Sequence, residues 1–196
     1  MGELYIAVAS ALYTTSDWPV LDRALGQALG SPADGRTLLA LRDSYLGRLE
    51  DGTWADDADA RGAIRCSDQE ARSAEPEGDL ALADDWATEL PFWGRWFATE
   101  TPGCWGLPDA IEPLEPLAEG AITEAPPVVV IGTTDDPATP YEQSVDARAI
   151  VEGSSLVTYV GAEHTAYRSL SSCVDGAVTP YLIDLTPPDD GLRCQD

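Results

Sequence analysis

The stretch Pro126-Pro127-Val128-Val129-Val130-Ile131-Gly132 decides the fold. A continuous β-branched run bounded by turn formers is the pattern of a strand buried on both faces of a parallel sheet. Outward from it, Tyr141 to Val151 reads as a helix. Ser155-Leu156-Val157-Thr158-Tyr159-Val160, closed by Gly161, reads as a second strand. Strand, helix, strand is the crossover unit of a parallel sheet, and functional side chains collect in the loops after the carboxyl ends of such strands. Those loops hold Asp135-Asp136-Pro137-Ala138-Thr139-Pro140 and Glu163-His164-Thr165-Ala166-Tyr167.

An acid after one strand and the chain's single histidine after the next form the arrangement an acid–base pair requires. The carboxylate accepts from one imidazole nitrogen and fixes the tautomer, and the other nitrogen faces a reacting hydroxyl. Asp before His is also the order of the last two members of an α/β-hydrolase triad, whose serine comes first. Taken singly, an Asp-Pro pair opens turns and a loop histidine is ordinarily structural; their joint placement at strand ends gives them chemical meaning.

Upstream, Val20, Leu21, Ala24, Leu25, Ala28 and Leu29, then Leu38, Leu41 and Tyr45, recur near the helical period, so residues 5–50 read as helices, with Pro19 in a first turn and Gly30 as a stop. Shorter helices are expected around Ala58 to Cys66 and Leu80 to Phe97. Trp86, Trp93, Trp96, Phe97 and Trp105 crowd one stretch, either as the wall of an aromatic pocket or as ordinary buried area. The expected domains are therefore residues 1–124, mostly helical, and 125–196, the strand-bearing core.

With 44% hydrophobic and 23% charged residues among 196, the composition is globular. There are 35 acidic residues against 11 basic ones, all arginine, for a formal net charge of −24. Nucleic acid and anionic membrane surfaces are repelled by such a chain, so neither is expected as a partner, and no apolar run approaches the roughly 20 residues of a spanning helix. Cys66, Cys104, Cys173 and Cys194 show no metal-binding spacing, and no metal or cofactor is expected. Disulfides are the better reading. Three connectivities are open, and pairing of neighbours would join Cys66 to Cys104 and Cys173 to Cys194. Disulfides imply an oxidising compartment, yet the first ten residues carry no basic segment of the kind that opens a signal peptide.

The run Gly132-Thr133-Thr134-Asp135-Asp136-Pro137-Ala138-Thr139-Pro140-Tyr141, with Glu163-His164-Thr165-Ala166-Tyr167, Cys173-Val174 and Cys194, resembles the carboxyl-terminal region of secreted tripeptidyl-aminopeptidase-like serine peptidases of the α/β-hydrolase superfamily. Ala63-Ile64-Arg65-Cys66-Ser67-Asp68 and Cys104-Trp105 resemble that family's lid. The resemblance implies an α/β class with a partial α/β-hydrolase fold: the last two parallel strands with flanking helices, preceded by a helical lid. It implies Asp136 as triad acid, with Asp135 as fallback, and His164 as triad base. It further implies a peptide substrate cleaved near its amino terminus, with an esterase as the alternative. Asp68 is one weak candidate, among many acids, for holding a substrate ammonium.

Two positions depart from the family. A Gly-x-Ser-x-Gly elbow is needed to lift a nucleophilic serine from the sheet, and Gly153-Ser154-Ser155, the lone Gly-x-Ser, lacks the second glycine and follows the acid. The expectation is a fragment of a secreted enzyme, inactive alone, with an unpaired strand edge through which it either associates or aggregates; a non-catalytic binding module derived from the lid is the competing reading. The second departure is Glu163, where the family usually has glycine. Beside His164 its charge would favour the imidazolium.

Overall fold

The computed structural model describes residues 2–55, 60, 63, 64, 76–100, 115–168 and 170–196. The expected Ala58 to Cys66 helix lies largely outside them, as do Asp68, Cys66, Cys104 and Trp105. The chain divides into two compact units: residues 1–8 with 27–115, and residues 9–26 with 116–196. Residues 9–26, which the sequence assigns to the first region, thus group with the strands.

In the strand-bearing unit, β1 (Val129–Thr133) pairs in parallel with β2 (Ser155–Tyr159), Val129 opposite Ser155 through Thr133 opposite Tyr159. A parallel pair needs a crossover, and α6 (Tyr141–Ile150) supplies it. A third parallel strand, β3 (Leu192–Cys194), lies on the far side of β2. The sequence reading missed it, because three residues after Pro-Pro-Asp-Asp-Gly carry no periodic signal. The central position of β2 explains its burial at all five residues, whereas β1, an outer strand among the described residues, is half-buried at Val129, Val130 and Ile131. Burial on both faces, expected for the run at 126–132, belongs to β2 instead.

The core of this unit is Val157, Tyr159, Ala166, Val174, Val178 and Cys194, with Val129, Ile131 and Leu192 packed against it. Val174 and Val178 lie four apart on α7 (Ser172–Asp184) and so share one face of the helix. Burying each valine contributes up to about 1.5–3 kcal/mol. The Ser171 side chain caps α7 by accepting the Val174 N–H at 3.0 Å. A disulfide, Cys173–Cys194, ties the first turn of α7 to β3. The Asp196 carboxylate accepts from the hydroxyls of Ser171 (2.5 Å) and Ser172 (2.8 Å).

Gly132 is required by close approach. A Cβ there would lie 2.8 Å from Ser144 Cβ and 3.0 Å from a Tyr141 ring carbon, so α6 can lie on β1 only over a residue without a side chain. The Tyr141 hydroxyl, 2.7 Å from Thr158 Oγ1, joins the start of α6 to β2.

The helices before the sheet are α1 (Gly2–Leu12), α2 (Trp18–Ala28) and α3 (Arg36–Tyr45), with a 3-10 turn at Thr15–Asp17. Leu21 and Ala24 are the buried positions of α2, as their spacing predicts. Within the first unit, the single helix expected from Leu80 to Phe97 is two: α4 (Pro76–Glu89) and α5 (Gly94–Glu100). The break falls at Leu90-Pro91, where proline lacks an N–H and disfavours helical geometry in the residue before it. The Tyr5 ring lies 4.9 Å from Phe92 and 5.7 Å from Trp96, and Trp93 touches Phe92, Trp96 and Phe97 at 4.9–5.6 Å. These rings pack on one another in tilted, edge-on and stacked arrangements. Among the described residues, no helix is long and apolar enough to cross a membrane.

Candidate active site

The loops that follow β1 and β2 are stitched together by backbone. The Thr134 N–H donates to the Tyr159 carbonyl (3.0 Å) and the Asp135 N–H to the Gly161 carbonyl (2.9 Å). The Gly161 N–H donates to Thr134 Oγ1 (3.2 Å). The Asp-Pro-Ala-Thr-Pro turn is folded around the Asp136 side chain, whose Oδ1 accepts the N–H groups of Ala138 (2.8 Å) and Thr139 (2.9 Å), and whose Oδ2 accepts the Thr139 hydroxyl (3.0 Å). This is a local side-chain turn of the kind aspartate favours.

His164 Nδ1 lies 3.0 Å from both carboxylate oxygens of Asp136. The Asp136 side chain is 6% exposed and that of His164 27%. Burial pushes the Asp136 carboxyl up, but the N–H groups of Thr139 and Ala138, the His164 ring and the Thr139 hydroxyl together hold it below its ordinary value. It is therefore ionised at neutral pH, and an ionised carboxylate only accepts hydrogen bonds. A hydrogen bond between the two therefore needs the proton on Nδ1, and in the neutral tautomer that makes it Nε2 is the basic nitrogen. Asp135, the fallback acid, is exposed and serves through its backbone.

A cavity of about 180 Å³ opens beside the pair, lined by Ile131, Thr133, Thr139, Thr165 and Tyr167. It is smaller than the pockets of roughly 300–1,000 Å³ that hold whole small molecules.

The imidazole is also held from residues the sequence did not single out. The His164 backbone N–H donates to the Tyr13 carbonyl (2.8 Å), and the Tyr13 ring meets the imidazole edge-on, with centroids 4.8 Å apart and planes at 81°. Glu163 is buried, and both its carboxylate oxygens engage Thr15: one accepts the backbone N–H at 3.0 Å, the other the hydroxyl. The hydrogen bonds of Glu163 thus go to Thr15 and not to the imidazole. Nothing in the spacing of Tyr13 or Thr15 announces these contacts, because the partners are separated by about 150 residues. Thr139, inside the Asp-Pro-Ala-Thr-Pro motif, was within reach of the turn chemistry.

Among the described residues, no three metal-ligating side chains converge. Asp68, Cys66 and Cys104 lie outside the described residues, and of the neighbour pairs Cys173–Cys194 is formed.

The sequence model of the TAP-like protein family matches residues 90–194, more than half of the chain and all of the sheet. This chain belongs to the TAP-like family of α/β-hydrolases. The TAP-like chain is 35% identical over 201 aligned residues to a protein named serine protease Hip1 from Mycobacterium tuberculosis, covering 98% of this chain and 36% of the relative. It is 38% identical over 193 residues to one named carboxylesterase B from the same organism, covering 94% of this chain and 35% of that one. The TAP-like chain thus spans about a third of the length of the curated relatives it matches.

Proposed function

We propose that this chain supplies the acid and the base of a secreted serine hydrolase that cleaves peptides near their amino terminus. The observation that carries the reading is the ionised Asp136 carboxylate, both oxygens 3.0 Å from His164 Nδ1. In this reading Asp136 orients His164, and Nε2 removes the proton from a serine hydroxyl as its oxygen attacks the substrate carbonyl. When the tetrahedral intermediate collapses, the C–N bond breaks and the imidazolium returns that proton to the leaving amine. Nε2 then deprotonates the water that hydrolyses the acyl-enzyme, which regenerates the serine.

The serine comes from sequence outside these 196 residues. Support lies in the absence of a Gly-x-Ser-x-Gly elbow from the sequence, in the small cavity beside the pair, and in the length of the relatives. An extracellular setting is supported by the disulfide and by a relative named as a protease. An ester substrate is the second reading, favoured by the relative named carboxylesterase B. Alcohol departure needs less protonation than amine departure, and the same pair serves both.

The test is hydrolysis of aminoacyl and tripeptidyl nitroanilides and of nitrophenyl esters. The chain alone is expected to fall roughly a million-fold short of a complete enzyme. Joined to the remaining portion of the mycobacterial serine protease, it is expected to turn over substrate in a manner that His164→Ala and Asp136→Ala each abolish. Turnover by the chain alone that His164→Ala removes would mean that it holds its own nucleophile.

A further inference from the structure

We infer that Glu163 is a positioning residue: through Thr15 it clamps the His164 loop to the start of the 3-10 turn Thr15–Asp17 and keeps the imidazole aimed at Asp136. The inference rests on the proposed role of the Asp136–His164 pair.

Four observations converge on this loop. Glu163 is 5% exposed, and a buried carboxyl is costly unless hydrogen-bonded; both of its oxygens are satisfied by Thr15. The next residue, His164, is held by its N–H on the Tyr13 carbonyl and by the Tyr13 ring. Thr165 follows at φ 71°, a left-handed conformation that a β-branched side chain resists and that persists only where the surroundings enforce it. Ala166, at 1% exposure, is fixed in the core with Val157 and Val174. The loop is therefore pinned on both sides of a strained residue, by the core after it and by Thr15 before it. The strained turn sets the direction in which the histidine leaves the chain. Released at Glu163, Thr165 can relax toward an extended backbone, and the ring loses its fixed approach to the carboxylate.

Purely structural burial of Glu163 would change stability and leave the ring's protonation pattern alone. His164 is the chain's single histidine, so the histidine-labelled 196-residue chain gives one Nδ1 and one Nε2 resonance, which report tautomer and orientation directly. In the parent chain, a hydrogen-bonded Nδ1–H is expected at neutral pH. In Glu163→Ala and in Thr15→Val, the fraction of the other tautomer is expected to rise on the order of ten-fold. Glu163→Gln, which can still accept the Thr15 N–H and meet its hydroxyl, is expected to restore the parent pattern. Thr15 is exposed and Glu163 buried, so Thr15→Val disturbs packing less than Glu163→Ala and tests the clamp with the fold retained.

Parent-like nitrogen shifts in folded Thr15→Val and Glu163→Ala chains would overturn the clamp while leaving the Asp136–His164 pairing intact. A parent chain without the Nδ1–H bond to Asp136 would instead overturn the functional reading on which the clamp depends.

Discussion

At Asp136, one carboxylate performs two tasks that are usually separate: it folds its own turn through Ala138 and Thr139, and it fixes a distant ring. Asp136→Asn divides the two. The amide oxygen can still take the turn's N–H groups, but its NH₂ would donate to Nδ1 and move the ring proton to Nε2. In the serine-complemented enzyme, kcat is expected to fall about 10⁴-fold with the fold retained, as steady-state kinetics and circular dichroism would register. Acid titration gives a second readout. The folded Asp136 carboxyl lies below its unfolded value, so its stabilisation is full above about pH 4 and is lost as pH falls through the lowered folded value. Denaturant midpoints of the parent should therefore drop more steeply below pH 4 than those of Asp136→Asn. This residue and His164 were legible in the sequence because strand ends, chain order and an Asp-Pro turn coincide there. Tyr13, Thr15 and the orientation of Glu163 were not, since contacts across about 150 residues leave no local pattern.

Among the elements, β2 was the most readable, and its pairing with β1 follows from the helix between them. β3 shows the opposite case: its three residues have too little pattern to declare a strand, and its place is set by pairing with β2 and by Cys194. The α4–α5 break was written in Pro91, but helical periodicity on either side concealed it. Two predictions belong at this scale. Opening the Cys173–Cys194 link by paired serine substitution should cost about 3 kcal/mol, from the entropy of its 21-residue loop, measured by chemical denaturation. Val157→Ala, at the fully buried centre of β2, should cost about 2–3 kcal/mol by the same measurement, from lost transfer energy and a residual cavity.

For the molecule as a whole, the net charge of −24 is the dominant long-range term. Like charges spread over a small surface repel, and added salt screens them beyond roughly 10 Å at 0.1 M. The thermal midpoint is expected to rise by several degrees between 10 mM and 1 M sodium chloride, with most of the gain at the low end; a flat or falling midpoint in a calorimetric series would show that arginine pairs such as Arg148–Asp190 already offset the repulsion. Composition made this property readable without any structure, whereas the grouping of residues 9–26 with the sheet needed three dimensions. Gly132 carries a final consequence. The acid's turn leaves β1 at Thr133 and re-enters the fold at Tyr141, so both of its ends rest on a contact with no room for one more carbon. A methyl group introduced at 132 would touch neither Asp136 nor His164, yet it would act as a wedge beneath α6 and spoil their alignment from the far end of the turn.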